Sequence, residues 1–262
     1  AGDNDTIDIS YNDGVNPQNA TRDVTGVAVT PANITITEAD PYDYGTIATG
    51  ANLPHTFTLN NAGSFQASAI AEIGLAAPFA FTGGAFPGTA GTCGTTLAGA
   101  ASCDIEVEFA PAATGAAADT ISIQYNNGAT VVTSDRDIQG TGVAPAFITI
   151  TETDPYDFGN ITQGASDNHI FTLNNTGAIN ATTVGGSGLV APFRFTGGSF
   201  PGTTGTCTAT INAGGSCTID ITFAPTAAAV SSDTIDINYN DGAALQTSSR
   251  DVTGTGTVSY TH

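Results

Sequence analysis

Lysine is absent from the 262 residues, and four arginines stand against 24 acidic residues, giving a formal net charge of −20. Lysine-to-asparagine isopeptide staples and lysine-linked polymerisation both need an ε-amine, so neither chemistry is open to this chain. A surface so negative is a poor partner for nucleic acid and for anionic membranes, and it suits saline or calcium-containing surroundings. Long apolar runs are missing too. Nothing approaches the roughly 18 residues of a membrane span, so no membrane insertion is expected in this section. No basic-then-apolar segment opens the chain, and any leader or anchor is expected outside it. Histidine is scarce: His55 and His169 occupy matching places, so no second imidazole stands beside either. Seryl or cysteinyl hydrolysis needs a nucleophile, a base and an orienting acid held together. The pattern shows no such trio, and a non-enzyme is expected.

What is present is repetition. Asp5, Asp119 and Asp233 open the segments DTIDISYNDG, DTISIQYNNG and DTIDINYNDG, and Cys93 and Cys103 recur 114 positions on as Cys207 and Cys217. Internal repetition at domain length marks one folding unit copied along a thread, as in spacers, stalks and multivalent surfaces. Residues 1–28 match only the last quarter of a unit, namely 115–142 and 229–256. Whole units therefore run over 29–142 and 143–256, with 257–262 as the opening of a further one. An isolated two-stranded hairpin is marginal in water, so residues 1–28 are expected to complete a sandwich whose remainder lies elsewhere. Either the chain is a section of a longer array, or the hairpin docks on a neighbouring copy and the chain is a self-assembling filament subunit.

The segment Cys217 to Phe223 alternates apolar and polar residues, and its counterpart Cys103 to Phe109 does the same with acids at the polar positions. A period of two is a half-buried strand, one face core and the other water. Ile235, Ile237 and Tyr239 share a face that runs into Asp241-Gly242, a dipeptide suited to a tight hairpin. Ala67 to Ala77 is the one helix candidate, but its copy carries Gly185-Gly186, so it is read as non-helical. Seven or eight short strands per unit predict an all-β chain of tandem β-sandwiches. The linkers 26–32 and 140–146 are short and hold Pro31 and Pro145, which predicts a semi-rigid rod.

The run Asp157 to Gly164, then Phe171-Thr172-Leu173-Asn174-Asn175-Thr176-Gly177, Phe193, Phe195, Cys217 to Pro225 and the closing Gly254-Thr255-Gly256 resembles the ASH and Hydin group of immunoglobulin-like domains. The paired-cysteine stretch GTCTATINAGGSCTIDITFAP is similar to the bacterial secreted versions called choice-of-anchor D proteins. The resemblance implies immunoglobulin-like sandwiches in large exported surface proteins, used as spacers or contact modules. It implies no shared catalytic residues.

Cysteines ten positions apart, with no histidine nearby and no CxxC spacing, favour a disulfide in each unit (Cys93 with Cys103, Cys207 with Cys217) over a reduced core pair or a metal site, and point to an oxidising compartment. The acids Glu38, Asp40, Asp43 and their copies Glu152, Asp154, Asp157 have the oxygen density calcium wants, against the plainer reading of solvated Asp-Pro turns. A bound calcium would sit between beads. Arg22, Arg136 and Arg250 each precede an Asp and are expected in structural ion pairs. Tyr42 and Tyr156 follow prolines and are the leading interdomain or ligand contacts. Phe79, Phe81, Phe86 and their copies fit core better than a sugar platform. The function these features favour is an extracellular or cell-surface structural array, a stalk or fibre component whose partners are neighbouring repeats or copies of itself. The alternative is an adhesin that binds glycans or surface proteins through loops at the sandwich ends, with calcium where present.

Overall fold

A computed structural model describes residues 2–258. Asp5 and its copies sit in long hairpins because β-branched and aromatic residues alternate with polar ones up to an Asx-Gly turn. The first hairpin is β1 (Gly2–Asn12) and β2 (Pro17–Val27). The first complete repeat holds β3 (Ile34–Ile36), β4 (Tyr42–Ala48), β5 (Leu53–Asn61), β6 (Ala67–Glu72), β7 (Phe79–Phe81), β8 (Thr96–Leu97), β9 (Ser102–Phe109), β10 (Gly115–Asn126) and β11 (Val131–Val143). The second repeats this order as β12 (Ile148–Ile150), β13 (Tyr156–Thr162), β14 (Asp167–Asn175), β15 (Ala181–Ser187), β16 (Phe193–Phe195), β17 (Thr210–Ile211), β18 (Ser216–Phe223), β19 (Val230–Asn240) and β20 (Leu245–Thr257). The segment with the helix-like spacing, from Ala67, is strand β6. The expected opening of a further repeat, 257–262, falls mostly outside the described residues, and Thr257 closes β20.

Each repeat is a sandwich of two sheets. In the first, β3-β5-β9-β7 faces β4-β11-β10-β6-β8, and in the second, β12-β14-β18-β16 faces β13-β20-β19-β15-β17. Neighbours pair antiparallel except β4 with β11 and β13 with β20, which are parallel. Ile121, Ile123, Tyr125 and Ile138 of one sheet bury against Phe57, Leu59, Ile105 and Phe109 of the other, and the second core repeats the set.

Three recurring motifs have physical causes. A Cβ on Gly140 or Gly254 would lie 2.7 or 2.6 Å from the ring of Phe109 or Phe223, so these glycines admit the phenylalanine that closes the core. A Cβ on Gly256 would meet the Ala227 carbonyl at 2.0 Å. Thus the GTG ending and the FAP segment are two halves of one close approach. The second asparagine of each LNN is a buried hub: Asn175 Nδ2 donates to the carbonyls of Ile179, Ile211 and Asn212, while its Oδ1 accepts from Phe147 and Gly177.

Two expectations need correction. The hairpin turn is a four-residue loop, Asp241 to Ala244, because only Gly242 takes positive φ (+96°). Asp241 Oδ1 accepts from the amides of Ala243 and Ala244 and so shapes the loop itself. The outer face of β18 is not all water: Asp220 and Thr222 are 2% and 3% exposed. The loop between β16 and β17 folds across it, and the Thr196 and Thr204 hydroxyls each donate to the Asp220 carboxylate at 2.7 Å.

Candidate functional sites

The disulfides Cys93–Cys103 and Cys207–Cys217 are formed in both repeats, each with Cα atoms 4.9 Å apart. Each ties the loop before β8 or β17 to the start of β9 or β18, and so pins the loop that crosses the outer face.

Arg136 on β11 donates to the Ile36 carbonyl and pairs with Asp40 at 3.4 Å. Arg250 on β20 does the same with the Ile150 carbonyl and Asp154, also at 3.4 Å. The Asp40 and Asp154 carboxylates also accept from the amides of Asp137 and Asp251. The arginine therefore laces the last strand of one sheet to the turn after the first strand of the other. Arg22 is different: it lies on the exposed β2, opposite Ile7 across the hairpin, and the two ion pairs among the described residues belong to Arg136 and Arg250.

The acids proposed for calcium are divided among protein donors. Glu38 and Glu152 accept from the amides of Thr58 and Thr172. Asp43 and Asp157 accept from those of Gly45 and Gly159, and Asp40 and Asp154 face arginine. Among the described residues no group of three or more His, Cys, Asp or Glu side chains is arranged to hold a metal ion. Backbone amides of these turns, which the sequence alone does not display, donate to one oxygen of each carboxylate, and Glu38 Oε2 and Glu152 Oε2 are buried without a partner.

Tyr42 and Tyr156, expected as exposed contacts, are half-buried instead. Each stacks on the histidine of the next strand, His55 or His169, with ring centroids 4.0 Å apart, and each meets Phe57 or Phe171 edge-on. Burial raises both phenol pKa values, helped by the charges of Glu38 and Asp43 in one case and Asp167, Glu152 and Asp157 in the other. Burial lowers the His55 pKa, opposed by Glu38. Phe79, Phe81, Phe193 and Phe195 are buried, with Phe86 and Phe200 edge-on against them. They are core.

The clearest unsatisfied surface is the β1–β2 hairpin. Ile7, Ile9 and Tyr11 are 52%, 59% and 53% exposed, whereas their equivalents Ile235, Ile237 and Tyr239 are 0%, 0% and 3% exposed. In the complete repeats the Tyr125 and Tyr239 hydroxyls accept from the amides of Ile34 and Ile148. The hairpin thus carries the same apolar stripe and polar tip that the complete repeats bury, and no described residue covers them.

The profile of the family described as HYDIN/CFA65/VesB-like, Ig-like domain matches residues 34–140 and 150–253. These two matches span more than half of the chain, and the chain belongs to that family. Its immunoglobulin-like fold is that of a structural or binding module. Comparison with curated proteins finds no match. Among solved structures, a protein of unknown function from Porphyromonas gingivalis W83 is 13% identical over 86% of this chain and 99% of its own, with a TM-score of 0.32. The ASH/PapD-like domain 7 of human CEP192 is 16% identical over 44% of this chain and 89% of its own, with a TM-score of 0.34. The Vibrio cholerae VesB protease is 15% identical over 42% of this chain and 32% of its own, with a TM-score of 0.31. At such scores these likenesses carry no argument about this chain. Among the described residues no helix is long and apolar enough to cross a membrane, and the two disulfides are compatible with a secreted or extracellular setting.

Proposed function

We propose that the chain is a non-enzymatic structural repeat array, a stalk or fibre component of a bacterial surface protein. One observation carries this reading. In both repeats the groups that stand out as candidate sites pack or pair within their own sandwich: Tyr42 on His55 and Tyr156 on His169, Arg136 with Asp40 and Arg250 with Asp154. A bead that uses these groups internally serves by its shape, its spacing and its resistance to unravelling. The negative charge keeps neighbouring arrays apart.

The test is a glycan array probed with the oxidised full chain, with and without chelator. A flat signal supports the stalk. A saturable, chelator-sensitive signal overturns it in favour of the calcium-dependent adhesin. The exposed Ile7, Ile9 and Tyr11 favour a second reading beside the first, in which a neighbouring copy covers the hairpin and the chains assemble into a filament. Sedimentation across a hundredfold range of concentration separates the two, since a fixed monomer mass excludes the filament.

A further inference from the structure

The two repeats touch at a place that neither the acids nor the tyrosines mark. The tip of the β19–β20 hairpin rests on the outer end of β4, in the repeat before it. A Cβ on Gly242 would lie 3.2 Å from the Ala48 Cβ, and a Cβ on Gly50 would lie 3.9 Å from the Ala243 Cβ. The repetition supplies its own control, because each partner has an uncovered copy. Ala48 is buried and Thr49 and Ala51 are half-buried, but their equivalents Thr162, Gln163 and Ala165 are exposed. Likewise Asp241 is buried at the tip, while Asn127 at the uncovered tip of the first repeat is only half-buried.

The linker between the repeats is hydrogen-bonded on both sides, through bonds that each repeat also makes on its own. The Val143 carbonyl accepts from the Thr49 amide of the first repeat at 2.8 Å. The next carbonyl, that of Ala144, accepts from the Ala178 amide of the second repeat at 3.2 Å. A Cβ on Gly177 would lie 2.1 Å from the Pro145 carbonyl oxygen, so Pro145 is packed against the second repeat as well. The Ala146 amide donates to the Asp241 carbonyl at 2.9 Å, which ties the end of the linker to the tip that sits on β4. Seat, linker and tip therefore form a closed circuit: Thr49 holds Val143, Ala146 holds Asp241, and Asp241 with its loop lies on Ala48.

We propose that the Asp241–Ala244 tip is a docking element and the Ala48–Ala51 end of β4 its seat, so that each repeat is locked in orientation against the one before it by a hairpin tip rather than by a bound metal. The kind of partner the seat takes is an Asx-Gly turn followed by small residues. Ala48 gives the room, and Asp241 keeps the loop shaped by accepting from Ala243, Ala244 and Gln246. This adds to the array reading and does not decide it, since beads on free hinges are still an array.

Residual dipolar couplings of the full chain, weakly aligned and free of calcium, test the proposal. The lock requires both complete repeats to share one alignment tensor in the unmodified chain. Ala48→Glu, which sets a bulky carboxylate against the tip, should split them into two tensors while both repeats stay folded. The matched Thr162→Glu at the uncovered end should leave the common tensor intact. Should Ala48→Glu fail to fold, Ala51→Glu breaks the same contact at the rim of the seat, where the residue is half-buried although its copy Ala165 is exposed. Separate tensors in the unmodified chain, or one shared tensor in the folded Ala48→Glu or Ala51→Glu chain, would overturn the lock.

Discussion

Replacing Ile235 by alanine should cost the second repeat about 3 kcal/mol, while the same change at Ile7 should cost close to nothing. Both residues occupy the same place in the repeated DTIDI segment, so propensity and local sequence are held constant. Only burial differs: Ile235 is 0% exposed and Ile7 is 52% exposed. A buried Ile→Ala substitution loses the transfer free energy of the removed groups and leaves a cavity, together about 2 to 5 kcal/mol. An exposed change of this kind usually stays within about 0.5 kcal/mol. For a domain of about 100 residues, 3 kcal/mol corresponds to roughly 12 °C or more in Tm. Differential scanning calorimetry of the full chain reads this directly, because the first repeat serves as an internal reference when Ile235 is changed. Ile121→Ala should shift the other transition and exchange the roles. If Ile7→Ala lowered stability as much as Ile235→Ala, the hairpin stripe would be covered and the comparison of burial on which the reasoning rests would be wrong.

Other consequences can be measured in the same format. Asn175→Ala should destabilise the second repeat by about 3 kcal/mol or more in chemical denaturation, because it strands the buried carbonyls and amides that Asn175 now satisfies; a change below about 1 kcal/mol would contradict the hub. Arg250→Gln should lower the second transition by about 1 to 3 kcal/mol, more than an exposed ion pair alone accounts for, since it removes the donor to the Ile150 carbonyl as well as the partner of Asp154. The same change at Arg22 should be silent. For Asp220, burial works to raise the pKa, but hydrogen bonds from the Thr204 and Thr196 hydroxyls and the Thr204 amide outweigh it and hold the group below its ordinary value. Its contribution to stability is then present above the unfolded pKa near 4 and is lost as pH falls through the lower folded value. The Asp220→Asn chain should therefore lose less stability than the parent between about pH 4 and pH 2, as followed by circular dichroism; equal losses would count against the assignment.

The sandwich was legible because alternation in Cys217 to Phe223 and in DTIDINY reports directly which face is apolar, and because each signal appears twice. Cysteine spacing was equally readable, since ten residues is a short loop to close and no competing metal ligand stood nearby. The β13–β20 parallel pairing was not readable, because it joins residues about a hundred positions apart through no shared local pattern. Asp220 misled for a related reason. Alternation assigns it to water, and only the fold of the loop from Thr196 to Cys207 reveals that the outer face is covered. The carboxylates of Glu38, Asp40 and Asp43 read as a calcium set on charge density alone, and the sequence did not show the backbone amides that these carboxylates meet or the Arg136 guanidinium beside Asp40. The buried asparagine of each LNN motif was visible as a motif and silent as physics, since the whole FTLNN stretch recurs and repetition alone does not separate Asn61 and Asn175 from Asn60 and Asn174. The seat at Ala48 left no sequence signal at all, since it is an ordinary small residue at the end of a strand.

The claim that most needs testing is that two identical mechanical units, each stapled by its own cysteine pair, make up the body of the chain. Single-molecule extension of the full chain between its ends measures it. Under oxidising conditions two unfolding events of equal contour length are expected. Reduction should lengthen each by about 30 Å, because a staple of sequence separation 10 with Cα atoms 4.9 Å apart hides roughly 35 Å of extended chain. Equal contour gains in the oxidised and reduced states, or two events of unequal length, would contradict it.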